Sequence, residues 1–166
     1  MTDAAVTTPA LTALVTGATS GLGREIAVRL ARDGMAVIVV GRDAGRGAAV
    51  VEQIEAAGGQ ARFIAADLSD PADIQRLAGE VGDIDVLVNN AGRSVWGPTE
   101  KTTVTDFDSM FASNVRAAFL LVGAFAPAMA ASGSGSIINI SSMAGRAGSG
   151  CPAAPPTGRP RPPWPR

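Results

Sequence analysis

The chain has 166 residues, 46% of them apolar, and a formal net charge of −1. It holds no histidine, no tyrosine, one cysteine (Cys151) and one lysine (Lys101). These counts exclude a histidine general base, a Ser-His-Asp triad, a His- or Cys-cluster metal site, a disulfide framework and a phenol acid. An enzyme of this composition takes its proton donor from Asp, Glu, Lys, Ser or Cys, or lacks one. The near-neutral charge argues against a nucleic-acid partner. No apolar run reaches the ~18 residues of a membrane span, so no membrane partner is expected. The opening residues, Met1 to Ala5, lack the basic region of a signal peptide, and the expected setting is cytoplasmic.

Residues 1–10 read as a flexible, small-residue leader. Leu11 to Thr16 is a short apolar strand stopped by Gly17. From Gly21 to Arg32, Leu22, Ile26 and Leu30 recur at helical spacing, and Gly34 ends the helix. Val37 to Val40 is a second, β-branched strand. Ala44 to Ala57 is helical and is stopped by Gly58-Gly59. Ala61 to Ala66 is a third strand, followed by a helix from Pro71 to about Val81. Ile84 to Val88 is a fourth strand. A long helix spans roughly residues 106–131, with Phe107, Phe111, Val115, Phe119 and Val122 along one side. Ser136 to Ile140 is a fifth strand. Short, continuously apolar strands that alternate with helices predict a parallel sheet covered on both faces. The fold class is therefore α/β, a doubly wound Rossmann-like parallel sheet, with ligand at the carboxyl ends of its strands. That domain covers residues 11–150. Beyond it, seven of the eleven prolines crowd into residues 152–166, with Arg159, Arg161 and Arg166 and no acid. Such a Pro/Arg-rich tail, 151–166, is expected to be disordered.

The first strand-to-helix turn reads Thr16-Gly17-Ala18-Thr19-Ser20-Gly21-Leu22-Gly23. Glycines permit a tight turn and close backbone approach to phosphate, and a helix starting near Gly21 offers free N–H groups to it. The loop lacks the lysine of an ATP-binding P-loop. Further on come Asp67-Leu68, Asn89-Asn90-Ala91-Gly92, Asn114-Val115 and Ile138-Asn139-Ile140-Ser141-Ser142. These five segments, in this order across residues 11–148, resemble the N-terminal two-thirds of a short-chain dehydrogenase/reductase.

The resemblance implies an NAD(P)-dependent oxidoreductase that moves hydride between nicotinamide and a small carbonyl or alcohol substrate. It implies cofactor contacts from Thr16, Gly17, Ser20, Gly21, Leu22 and Gly23, and from Asp67 and Leu68 at the adenine. Asn90, Ala91 and Gly92 are also expected to line the cofactor, with the Asn side chains bracing the central strands. Asp67 has a plainer reading as a cap of the Pro71 helix. Members that prefer NAD carry an acid about where Gly41 stands. Here Arg42 follows that glycine and suits a 2′-phosphate, so NADP is favoured and NAD remains possible. A solvated Arg42 in a charged loop is the alternative. Ser94 and Trp96 are further expectations for the substrate mouth, beside a simple surface tryptophan.

Family catalysis uses Asn, Ser, Tyr and Lys. Asn114 and Ser142 match the first two. Near position 155, where Tyr is expected, stands Pro155, and Arg159 stands where Lys is expected. Guanidinium does not titrate and cannot replace the lysine. The resemblance thus implies a chain truncated at its C-terminal edge and catalytically incomplete. The sheet edge it leaves is apolar and aggregation-prone. The homo-oligomer of the intact family is not expected to survive. The other open reading is a non-catalytic nucleotide-binding or partner-binding remnant, with the Pro/Arg tail as a ligand. Read one frame away, the codon junctions 156/157 and 160/161 can spell Tyr and Lys, at the family's Tyr-x3-Lys spacing. A frameshift is therefore the expected origin of the tail. Sequencing the coding DNA checks it: codons 156 to 161 should permit Tyr and Lys in the offset frame, and codons that forbid either residue would reject it.

Overall fold

The computed structural model describes residues 10–142. The expected tail, and all but the last residue of the expected leader, lie outside them. The elements follow the predicted alternation: β1 (Thr12–Thr16), α1 (Gly21–Arg32), β2 (Ala36–Gly41), α2 (Ala44–Ala56), β3 (Gln60–Ala65), α3 (Pro71–Val81), β4 (Val86–Asn89). A 3-10 turn (Thr99–Lys101) then leads into α4 (Val104–Phe111). A π turn (Ala112–Arg116) joins α4 to α5 (Ala117–Ser132), and β5 (Ser136–Asn139) follows. All strand pairs are parallel, in the order β3-β2-β1-β4-β5. The fold is the predicted doubly wound Rossmann-like sheet, with β5 its last strand among the described residues.

Period two along each strand sends alternate side chains to opposite faces. Leu14, Ile38, Val40, Ile64 and Leu87 face Ile74 and Leu77 of α3 and Leu121, Phe125 and Met129 of α5. Ala13, Val15, Val37, Val39 and Val88 face Ala27, Val28 and Ala31 of α1 and Val50 and Ile54 of α2. Both faces of β1 are therefore dry, which is why its sequence shows no polar alternation. Helix starts are fixed by local chemistry. Asp43 accepts from the Arg46 N–H to cap α2, and Asp70 accepts from the Ala72 N–H ahead of Pro71 in α3. Thr103 and Asp106 form a reciprocal capping box at α4.

Two features go beyond the sequence-based expectations. Of the expected stripe, Phe107, Phe111, Val115 and Phe119 face outward, half-exposed or more, whereas Val122 packs against the core, whose face on this helix is Ala117, Leu121, Phe125 and Met129. The segment is apolar all round, so periodicity could not choose a face. In addition, helix 104–132 is long and apolar enough to cross a membrane, although no uninterrupted apolar run suggested it. Its inner face packs on the sheet as a core helix does.

Leu14→Ala removes a fully buried side chain from the central strand. It should lower the unfolding free energy by about 2–5 kcal/mol in urea titration. Val104→Ala, at a 75% exposed position, should stay within about 0.5 kcal/mol of the unaltered chain.

Candidate functional site

The carboxyl ends of β1 and β4 lie side by side and are tied by one residue. Thr16, 1% exposed, donates its hydroxyl to the Val88 carbonyl (3.2 Å). The same oxygen accepts from the backbone N–H groups of Asn90 and Ala91, each at 3.0 Å. Its hydrogen-bonding capacity is then spent, so Thr16 acts as a brace. Asn90 returns the tie, donating Nδ2 to the Thr16 carbonyl at 2.9 Å. Asn89 braces β4 to β5 through Asn139, Nδ2 to Oδ1 at 3.0 Å. The bracing role expected of both Asn side chains is present.

Between these strand ends the glycine loop climbs into α1. Gly17 has φ +63°, and a Cβ there would stand 2.9 Å from Ala91 Cα. Any side chain at Gly23 would collide with the Gly17 carbonyl and the Asn90 amide. These contacts bring the loop backbone against the β4 segment and hold the start of α1 at the strand ends. Ser20 occupies the N-cap of α1 without making a side-chain cap bond. Helices α2, α3 and α4 all have such a bond. The first-turn N–H groups of α1 and its positive dipole end are left for an anion.

A cleft of about 350 Å³ opens there. Its walls include Gly17, Ser20, Leu22 and Gly23 from the loop, Arg42 after β2, and Asp67 and Leu68 after β3. Asn90, Ala91 and Gly92 close the side toward β4. Gly21, at φ +53°, shapes the turn without lining the cleft. Residues that sequence reasoning did not single out also line it: Thr19, Arg46, Ser69, Arg93 and Ser113. Arg46 was detectable as a second arginine four positions after Arg42, at the start of a predicted helix. It pairs with Asp43 at 2.9 Å.

Asp67 is not the cap of α3, since Asp70 takes that place. Its Oδ1 instead accepts from the Ser69 N–H (3.0 Å) and hydroxyl (2.8 Å). These bonds, and then the nearby Arg42 charge, hold its carboxyl below the usual carboxylate range against the opposing effects of burial and Asp73. The Asp67 backbone N–H donates to Asp73 Oδ2 (2.8 Å), which fixes the loop. At Gly41 an added Cβ would run into the Thr19 side chain. The residue before Arg42 is therefore glycine for a spatial reason as well.

A second cleft, of about 790 Å³, adjoins the first and is lined by Asn114, Ser142, Ser94, Asn139 and Thr16 among others. Leu68, Asn90, Ala91, Gly92, Arg93 and Ser113 line both clefts. Asn114 sits in the π turn, where the helix widens by one residue; such turns recur at functional sites. Its Oδ1 accepts from the Arg93 N–H (2.8 Å), and its Nδ2 donates to the Arg93 carbonyl (2.9 Å). The amide thus latches the segment after β4 to the long helix. Asn114 and Ser142 are brought to one cleft, as the resemblance implied. Ser94 lines it too, whereas Trp96 is 75% exposed and lines neither cleft.

Comparison with known proteins gives the same architecture a family. The chain matches the family model for short chain dehydrogenases over residues 11–154. It is 40% identical over 142 residues to a 3beta-hydroxysteroid dehydrogenase of Mediterraneibacter gnavus, covering 81% of this chain and 50% of that one. It is 38% identical over 136 residues to a D-threitol dehydrogenase of Mycolicibacterium smegmatis, covering 80% and 52%. The chain spans about half the length of these curated relatives. Among solved structures, a metagenomic short-chain oxidoreductase in complex with NADP superposes with a TM-score of 0.79 at 44% identity, over 82% of this chain and 64% of that one. A short-chain dehydrogenase from Sphingobium yanoikuyae in complex with NADPH superposes with a TM-score of 0.79 at 34% identity, over 83% and 56%. With the strand order, the glycine turn and the Asn-Asn-Ala-Gly segment all in place, the chain belongs to the short-chain dehydrogenase family.

Proposed function

We propose that residues 11–150 form the nucleotide-binding part of an oxidoreductase that takes NADP in preference to NAD. The observation that carries this is a single cleft lined by the uncapped start of α1, by Asp67, by Arg42 just after β2 and by Arg46 in the first turn of α2. A dinucleotide needs donors for its pyrophosphate and an acceptor for its adenine amino group. The start of α1 supplies the donors, and the second carboxylate oxygen of Asp67 is the acceptor. Arg42, with Arg46 behind it, supplies charge for a 2′-phosphate. The NADP and NADPH complexes among the similar structures support the same preference.

The bound cofactor would supply hydride chemistry at its nicotinamide, and the substrate class is a small carbonyl or alcohol. Ser142 would hold the substrate oxygen at the mouth of the second cleft. Asn114 would keep the adjoining wall in register through its latch on Arg93. The tyrosine and lysine of the family's proton transfer have no counterpart in these 166 residues. We therefore assign this stretch nucleotide binding without turnover of its own. The second reading, a non-catalytic nucleotide-binding remnant, rests on that same absence. Appending the offset-frame sequence in place of residues 151–166 and assaying carbonyl reduction separates the two: recovered turnover supports the enzyme reading.

Two measurements test the cofactor assignment. In fluorescence titration, Arg42→Ala should weaken NADPH binding by roughly tenfold or more and leave NADH within about twofold. Equal losses for both would remove Arg42 from the 2′-phosphate. The second measurement is pH dependence. The carboxyl of Asp67 is depressed, so its contribution is complete above the ordinary Asp value of about 3.9 and is lost as pH falls through the lower folded value. Asp67 should then add no pH dependence of its own to NADPH affinity from about pH 8 to pH 5, where the 2′-phosphate (second pKa about 6) is the group that titrates, and any Asp67-dependent loss is confined to acid below about pH 4. In the Asp67→Asn variant affinity should be lower by the same factor throughout the range from about pH 8 to pH 5.

A further inference from the structure

The wall shared by the two clefts contains one charged side chain, Arg93. It follows the Asn-Asn-Ala-Gly segment directly and is exposed. Its backbone is pinned on both sides of the peptide by the Asn114 amide. Its guanidinium, in contrast, has no hydrogen bond or ion pair among the described residues. The other arginines near the clefts are partly committed. Arg46 pairs with Asp43, Arg42 sits in the field of Asp67, and Arg116 donates to the Ser69 carbonyl at 2.7 Å. Among the described residues the second cleft has no acid on its walls, and the first has only Asp67. A rigidly anchored backbone thus carries a free cation on the ridge that a ligand must cross to occupy both clefts.

We propose that Arg93 is a pyrophosphate-binding residue, gripping the bridging phosphates of a dinucleotide from the wall opposite the start of α1. The assignment rests on the nucleotide-site reading above. A dinucleotide carries its pyrophosphate midway between its two nucleosides. With adenosine in the first cleft and the nicotinamide half in the second, the phosphates lie over the shared wall. There the α1 N–H groups meet one side of the pyrophosphate, and the planar fork of Arg93 can take two oxygens from the other. The Asn114 latch lowers the cost of that contact, because the backbone bearing the arginine is ordered before ligand arrives. Asn114 is then a positioning residue for Arg93 as well as a part of the second cleft.

The test uses the full chain and two probes. NADPH carries the pyrophosphate; adenosine 2′-monophosphate carries the adenine and 2′-phosphate without it. Arg93→Ala should weaken NADPH about fivefold to tenfold and leave adenosine 2′-monophosphate, read by displacement, within about twofold. The unchanged second probe also reports that the variant is folded. Arg93→Lys should recover part of the loss, since a point charge remains without the fork. The difference between Arg93→Ala and the unaltered chain should shrink as salt is raised. Unchanged NADPH binding in Arg93→Ala overturns the assignment while leaving the nucleotide site standing. Equal losses for both probes also overturn it, by assigning Arg93 to loop shape. If the unaltered chain binds neither probe, the nucleotide-site reading fails, and this assignment fails with it.

Discussion

The Thr16 hydroxyl is the point on which the site depends. It is buried at the end of β1 and holds three partners from β4 and the segment that follows. Without it, the Ala91 N–H would lose its acceptor beside the sheet, at a cost of about 1–3 kcal/mol, and the Asn90 N–H would keep only the Val88 carbonyl at 3.1 Å. With it, the glycine loop and the Asn-Asn-Ala-Gly segment are held at van der Waals contact, and both clefts share one wall. Valine, nearly isosteric, would fill the space and lose every bond. The residue is polar in an otherwise apolar strand because the strand ends at a place where two loops must be registered to each other.

The same logic extends outward from that point. Asn90 reinforces the tie between β1 and β4, Asn89 with Asn139 links β4 to β5, and Asn114 links the segment after β4 to the long helix. Four amide side chains thus register four elements, and each spends neutral hydrogen bonds to do so. Neutral partners avoid the desolvation cost of buried charge. They leave the charged residues, Arg42, Asp67 and Arg93, at the cleft surface, where ligand can reach them. The oxygen of Asn89 is the one buried side-chain acceptor left without a donor among the described residues, and it lines the second cleft.

Much of this was legible in the sequence, for identifiable reasons. The strands β1, β2 and β4 are continuous apolar runs bounded by glycine or asparagine, and α1 falls on the expected residues, 21–32. The glycine turn, Asp67, Asn114 and Ser142 form recognisable spacings. The orientation of α5 was not legible, because its apolar residues surround the axis and only tertiary contact selects Leu121 and Phe125 over Phe119. The π turn leaves no compositional mark. Arg93 and Arg46 escaped notice since an exposed arginine beside a motif looks like any solvated charge until the walls of a cleft are seen. Asp67 could be read as a helix cap because two other carboxylates, Asp70 and Asp73, follow it at three-residue intervals around the start of α3. Only the hydrogen bonds sort the three.

The last strand carries a consequence of its own. Parallel pairing uses alternate residues, so Ser136 and Ile140 donate inward, to Asp85 and Asn89. The N–H groups of Ile137 and Asn139 therefore point away from β4, along the outer side of the sheet. Among the described residues nothing lies beyond them. That rim works as a template with a phase. A strand docking there finds donors at two fixed positions, and one slipped by a single residue meets none of them. It would also turn its apolar side chains to the wrong face. Whatever chain completes this sheet is told its register by β5 before any side chain has touched.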